Sequence, residues 1–305
     1  MHYQARKVPV ALSGLMLGTF SLGNLMQLNG MRFRYLFGSI ATVLLVMMIQ
    51  KIVCHPRLFW EEIKKPIPGS VLATFPMSLS LFAGYIEPFN AAAGKWIWYL
   101  ALMLHILIML LFTGRFVIGF NYENVYTSYF IVYVGIAVNG IVAPQFGREQ
   151  IGYACFLAGF VFFVIWFFLI LWRYCKHRTV SEEAWPLICI FAAPASLCLA
   201  SYLKSASNRQ FYFIIGLAGV SLLVYLAVLL MLPRLLRLKF YPSYAAFTFP
   251  FVISATAIKL TVMYLAEVGR EVVFLQYVEY LQTGLAFILV VYTLLRYFQY
   301  LFISD

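Results

Sequence analysis

The sequence predicts an all-α integral membrane protein, with ten transmembrane helices forming five helical hairpins in a pseudo-fivefold arrangement around a central pore. Three observations carry that expectation. Of the 305 residues, 64% are apolar and 11% charged, against roughly 25% charged in soluble domains. Ten apolar segments come close to the ~20 residues that a bilayer crossing needs. A proline motif recurs along the chain, at Pro76, Pro194 and Pro250.

The ten segments run 8–28, 34–54, 70–87, 96–114, 126–143, 150–172, 186–204, 210–232, 243–266 and 273–295. They leave little chain for a soluble domain, so 1–305 reads as a single transmembrane domain. The first segment is too long for a signal-peptide core and no Ala-x-Ala-like site follows it, which makes it an uncleaved span.

The recurring motif sets the order of the hairpins. Its copies are Thr74-Phe75-Pro76-Met77-Ser78-Leu79-Ser80, Ala193-Pro194-Ala195-Ser196-Leu197-Cys198 and Phe247-Thr248-Phe249-Pro250-Phe251-Val252-Ile253-Ser254. A proline inside a helix removes a hydrogen bond and kinks the rod. Membranes tolerate such breaks where neighbouring helices or a water-filled cavity satisfy the freed groups. The prolines are 118 and 56 residues apart. Half of the longer interval falls near Gly135-Ile136-Ala137-Val138-Asn139, where Gly replaces Pro. The first copy fits either at Leu17 or at Pro9-Val10-Ala11-Leu12-Ser13, and its register stays open. A period near 60 residues divides the chain into five hairpins, each with the marked helix first. Such repeats suit an axis along the membrane normal, with five marked helices inside and five casing helices outside.

The remaining elements follow in order. Gly14, Gly18 and Gly23 in the first span allow close helix approach, a packing role with a pore role as the alternative. The stretch Pro56–Pro66 mixes apolar and charged residues at helical spacing and reads as a short interfacial helix. Its Glu61-Glu62 pair has no intramembrane His partners, so it is not a protease centre. His105 on the fourth span reads as a packed, hydrogen-bonded structural residue. The fifth span is rich in tyrosine, with Tyr126, Tyr129 and Tyr133. A basic loop covers 173–183 and a basic hinge 233–239. The last span is a casing helix ending in an aromatic belt of Tyr297, Phe298, Tyr300 and Phe302.

Lysine and arginine orient the chain. The side holding both termini carries fourteen of them, among them Arg6, Lys51, Lys64, Lys65, Arg115, Arg173, Arg178 and Arg234. The other side carries seven: Arg32, Arg34, Lys95, Arg148, Lys204, Arg209 and Arg270. The excess predicts cytoplasmic termini. The net charge of +11 is then a topology signal plus attraction to anionic lipid. A nucleic-acid partner has no domain to bind.

The chemistry-bearing residues point to a pathway rather than a reaction. The spans read as free of Asp and Glu, and no His cluster or phosphate loop occurs, so no catalytic residue, metal or cofactor is expected. The five cysteines form no CxxC pair and read as reduced, buried thiols. Ser80, Asn139 and Ser254 supply neutral dipoles that suit an anion entering and leaving quickly. The candidate pore lining is Phe75, Pro76, Ser80, Gly135, Asn139, Pro194, Cys198, Pro250 and Ser254. Lys259 reads as the one charge inside a span, roughly 24 Å along span nine at 1.5 Å per residue. It either attracts anions at the outer mouth or snorkels to the interface. As residues alone, Phe75 and Phe249 read first as packing aromatics. A ring in a narrow lumen would also occlude it by sterics and dewetting.

With these motifs in that order, the chain resembles the tellurite-resistance/dicarboxylate transporter (TDT) family. That family includes TehA-like bacterial proteins, yeast sulfite and malate carriers and the plant slow anion channels. The resemblance rests on Phe59-Trp60-Glu61-Glu62-Ile63-Lys64-Lys65-Pro66 leading into Phe75-Pro76-Met77, and on Thr248-Phe249-Pro250 in span nine. It implies a homotrimer in the plasma (bacterial inner) membrane, each protomer with its own pore lined by spans one, three, five, seven and nine. It further implies that a phenylalanine on span nine, here Phe249, gates a channel for small monovalent anions such as chloride and nitrate. A proton-coupled carrier of sulfite or a C4-dicarboxylate is the alternative. Span five departs from the family pattern, which often has proline near Val134 or Gly135.

Overall fold

The computed structural model describes residues 6–118, 125–176 and 181–303; Arg178, counted above among the basic loop residues, lies outside them. The described residues are helical, without strands. Among the described residues, eight helical stretches are long and apolar enough to cross a membrane: Met31–Cys54, Pro66–Ile86, Ala91–Val117, Glu149–Lys176, Glu182–Ser205, Phe211–Leu235, Pro242–Glu267 and Val273–Ile303. The expected first and fifth spans are shorter. The first is α1 (Leu12–Leu25), 14 residues long, because turns closed by Leu12 N–H to Pro9 O and Ser13 N–H to Val10 O precede it. The fifth is broken into α-helical Tyr129–Tyr133, a 3₁₀ turn at Gly135–Ala137, and α-helical Val138–Val142.

The prolines do not kink continuous helices, as the sequence suggested. They start helices. The third span is a short helix Pro66–Val71 followed by a new one at Thr74–Ile86. The seventh is a 3₁₀ stretch Glu182–Ala192 followed by Ala193–Ser205. The ninth is a 3₁₀ stretch Pro242–Phe247 followed by Phe249–Glu267. Pro76, Pro194 and Pro250 thus sit in first turns, where their missing N–H has no intrahelical partner to lose. In the first span Pro9 stands just ahead of the restart at Leu12.

Numbered on from α1, the helices are α2 (Met31–Cys54), the short α3 (Pro56–Ile63) and α4 (Pro66–Val71), α5 (Thr74–Ile86) and α6 (Ala91–Phe112). The fifth span gives α7 (Tyr129–Tyr133) and α8 (Val138–Val142), followed by α9 (Glu149–Lys176) and α10 (Ala193–Ser205). The last are α11 (Phe211–Leu235), α12 (Phe249–Glu267) and α13 (Val273–Phe298). The inner segments pack in chain order: α1 on α5, α5 on α8, α8 on α10, α10 on α12, and α12 back on α1. Each casing helix packs on its own inner partner and also on the next one; α9 lies on both α8 and α10, and α13 on both α12 and α1.

Burial follows that division. The most hydropathic window of Glu182–Ser205 is 94% buried, that of Ala91–Val117 only 17%. Casing helices turn residues such as Leu100, Met103 and Leu110 on α6, and Leu223 and Leu230 on α11, outward. Between inner helices the driving force is close packing rather than water exclusion, so small residues set the distances. Gly18 is the sharpest case. A Cβ there would fall on the Thr248 side chain and within 2.9 Å of the Phe249 amide nitrogen.

Several local expectations are corrected. Cys54 and Cys175 are exposed, and only Cys155, Cys189 and Cys198 are buried. Tyr297 does not join an aromatic belt; it is buried and donates its hydroxyl proton to Pro242 O. His105, by contrast, is the packed, hydrogen-bonded residue expected: it is fully buried, and its Nε2–H donates to Val132 O at 2.9 Å. That carbonyl lies just before the break in the fifth span, so the histidine satisfies a backbone group the broken helix leaves free.

Candidate functional site

The breaks in the inner segments leave a cavity of about 50 Å³ at the restart level, room for only a few water molecules. Every inner segment contributes to its wall: Gly14 and Leu17 from α1, Thr74 and Met77 from α5, Phe130, Val134 and Gly135 from the fifth span, Ala193, Pro194 and Leu197 from α10, and Ala246, Phe249 and Pro250 from the ninth span. Small residues at the starts of the helices make the space. Large apolar ones narrow it.

The breaks release backbone carbonyls, and nearby hydroxyls take them. Ser13 Oγ donates to Val10 O at 2.7 Å, and Thr248 Oγ1 to Ala245 O at 2.7 Å with Gly14 O at 3.3 Å. Thr74 Oγ1 lies 2.8 Å from Val71 O and 2.6 Å from Ser13 Oγ. These hydroxyls are used inside the wall. The lining is therefore almost wholly apolar, with Thr74 and Ser243 its only hydroxyl-bearing residues. Ser243 spends its proton on Glu183 O.

Phe249 is the first residue of α12, and Thr248 before it has φ −102° and ψ −86°. That bend, pinned by the Thr248 hydroxyl, sets the direction in which the ring leaves the backbone. Phe249 is 8% exposed although it lines the cavity.

Of the other sequence-predicted residues, Gly135, Pro194 and Pro250 line this cavity and the rest do not. Phe75 shares a partly exposed face of its span with Leu72, Leu79, Phe82 and Ile86, turned away from Thr74 and Met77. Pro76 is buried beside Met77, which takes the lining position. Ser254 Oγ lies 2.8 Å from Pro250 O, 3.1 Å from Ala192 O and 3.1 Å from Ser196 Oγ, and Ser196 reaches Ser221 at 2.7 Å. Ser254 thus stitches α10, α11 and α12 together. Ser80, Asn139 and Cys198 are buried outside the lining, Cys198 directly after the lining residue Leu197. Asn139 Nδ2 donates to Ile136 O at 3.1 Å, a carbonyl within the break. The hydroxyl of Ser80 has no partner among the described residues.

Lys259 is not the one charge inside a span. Glu279, seven residues into the last membrane-capable helix, is buried beside it. Lys259 Nζ donates to Leu25 O at 2.9 Å and lies 3.8 Å from Glu279 Oε1. It therefore ties the end of α1 to α12 and α13. The periodicity of span ten hid Glu279, because one carboxylate barely alters the hydropathy of so long a helix.

On the side of the termini, Glu62 of α3 accepts from Val10 N–H at 2.7 Å and pairs with the buried Lys51, which also reaches Val8 O. Its companion Glu61 pairs with exposed Lys64. The short helix α3 is thereby fastened to the entry of the first span. Sequence reasoning missed Met77, Phe130, Leu17 and Leu197 as wall residues. Their signal was present only as apolar residues one turn apart around each restart.

A family model described as SLAC1, voltage-dependent anion channel, matches residues 7–298. No curated protein sequence matches the chain significantly.

Proposed function

Because the chain belongs to the voltage-dependent anion channel (SLAC1) family, we propose that it passes small monovalent anions, chloride and nitrate among them, through a pore within each protomer that Phe249 closes. In this reading α1 and the broken fifth segment count as full crossings, which gives ten. The five hairpins stand in pseudo-fivefold order about the pore. Three protomers assemble in a bacterial inner membrane with both termini in the cytoplasm.

The observation that supports it is the single cavity walled by all five inner segments and bounded by the Phe249 ring. An anion entering from the side of the termini meets apolar walls and then the ring. Moving a bare ion into a medium of low dielectric costs of order 20 kcal/mol, so a dry constriction stops it without any fixed charge. Turning the ring aside admits water and lowers that barrier. The far half offers the free hydroxyl of Ser80 as a donor. Lys259 lends positive potential to the far mouth, damped by Glu279. Weak sites of this kind let an anion leave as readily as it enters. Selection then follows size and the cost of shedding water, which favours monovalent anions over dicarboxylates.

The test is the anion current of wild type and Phe249→Ala in planar bilayers. A rise of at least tenfold in chloride or nitrate current, with a reversal potential that tracks the anion gradient, is expected; tenfold corresponds to about 1.4 kcal/mol of barrier. Absence of current from both proteins, alongside saturable uptake of labelled sulfite or malate, would overturn the channel and leave a carrier.

A further inference from the structure

A second hollow lies at the end of α6 nearest the termini, away from the cavity at Phe249. It is a groove of about 650 Å³ between the short helix α3 and the last turns of α6, within the ~300–1,000 Å³ of ordinary ligand sites. Leu107 and Leu111 of α6 form one wall and Trp60 of α3 the other, all well exposed. Lys64 and Arg115 are the charged residues of the lining, and no carboxylate belongs to it. Both are exposed. From Leu107 to Arg115 the helix rises about 12 Å, so the apolar wall descends from the two cations toward the membrane interior. Neither cation is locked in place. Among the described residues Lys64 pairs with exposed Glu61, a surface pair that solvent screens, and the Arg115 guanidinium lies over the Phe116 ring at 5.6 Å.

We propose that this groove binds an anionic phospholipid, with the phosphate between Lys64 and Arg115 and an acyl chain along Leu107 and Leu111. The charge pattern argues for that occupant: two cations in the described lining with no acid among them, and apolar wall below them. A second copy of the chain would have to bring a carboxylate to the same level. Among the described residues on this side, Glu62 is held by Lys51 and Val10, Glu182 accepts from Tyr241 and Glu61 pairs with Lys64 itself, which leaves Glu183. Basic residues between helices at this depth are suited to anionic headgroups.

Trp60 reports on the groove directly. Its signal is the difference in fluorescence between wild type and Trp60→Phe in phosphatidylcholine vesicles. Brominated phosphatidylglycerol is added in one arm and brominated phosphatidylcholine with the same chains in the other. The anionic lipid should quench the Trp60 signal at concentrations at least about fivefold lower, given two cations near the surface. The preference should vanish in the Lys64→Gln/Arg115→Gln variant and survive in Lys64→Arg/Arg115→Lys. Equal quenching by the two lipids overturns the proposal, and so does quenching by neither, which would mean that protein covers Trp60. The wild-type comparison decides even if the glutamine variant fails to fold.

Discussion

Gly18 and Phe249 are two sides of one contact. The absent side chain at Gly18 gives the Thr248–Phe249 backbone its place against α1, and that backbone aims the ring. Gly18→Ala would overpack this contact, at about 1–3 kcal/mol. We expect it to lower the melting temperature in detergent by several degrees and to change the resting anion current. Gly216→Ala, on a lipid-facing part of α11 where an added Cβ meets nothing within 4 Å, should leave the melting temperature unchanged or raise it, since alanine is favoured over glycine in a helix by about 1 kcal/mol. Equal behaviour of the two variants would show that the close approach at Gly18 does not matter. The glycine itself was legible as a packing residue from its spacing. Its partner was not, because Thr248 is 230 residues away in the chain.

At the scale of elements, the pair Lys259–Glu279 joins α12 to α13 and, through Leu25 O, to the end of α1. Both side chains are mostly buried, at 16% and 10% exposure, so removing one strands the other. Lys259→Met and Glu279→Gln should each lower the melting temperature. The double variant should lose less than the two singles together, with a coupling of about 0.5–3 kcal/mol. Additive losses would show that the two charges do not interact. The breaks in the inner segments tell a complementary story. Their positions were readable from the proline motif, but their form was not. An isolated sequence cannot distinguish a kinked helix from one that ends and starts again. That depends on whether neighbouring hydroxyls such as Ser13, Thr74 and Thr248 are placed to take the freed carbonyls.

At the scale of the whole molecule, orientation and assembly can be read with the native cysteines and with mass. Cys54 and Cys175 end casing helices on the side of the termini and are exposed, whereas Cys155, Cys189 and Cys198 are buried. A membrane-impermeant maleimide should add two labels per chain in inside-out vesicles and none in right-side-out ones. The reverse pattern would place the termini outside. Native mass spectrometry of the detergent-solubilised protein should give three times the 34.9 kDa of the chain; a monomer throughout would remove the trimer from the proposed function.

The sequence by itself determined that this chain lives in a membrane, where most of its crossings begin and end, and where the inner ones break. Those properties are local: hydropathy over a helix length, a proline's missing N–H, a run of small residues. Tertiary structure decided which face of each inner helix meets the cavity. Phe75 and Phe249 occupy like places in their motifs, yet Phe75 turns outward and Phe249 lines the cavity. It also decided that Ser254 serves packing and that Lys259 is paired with Glu279. Side-chain direction and charge pairing depend on the rotation of each helix against its neighbours. That rotation is set by contacts such as Gly18 with Thr248 between residues far apart in the chain.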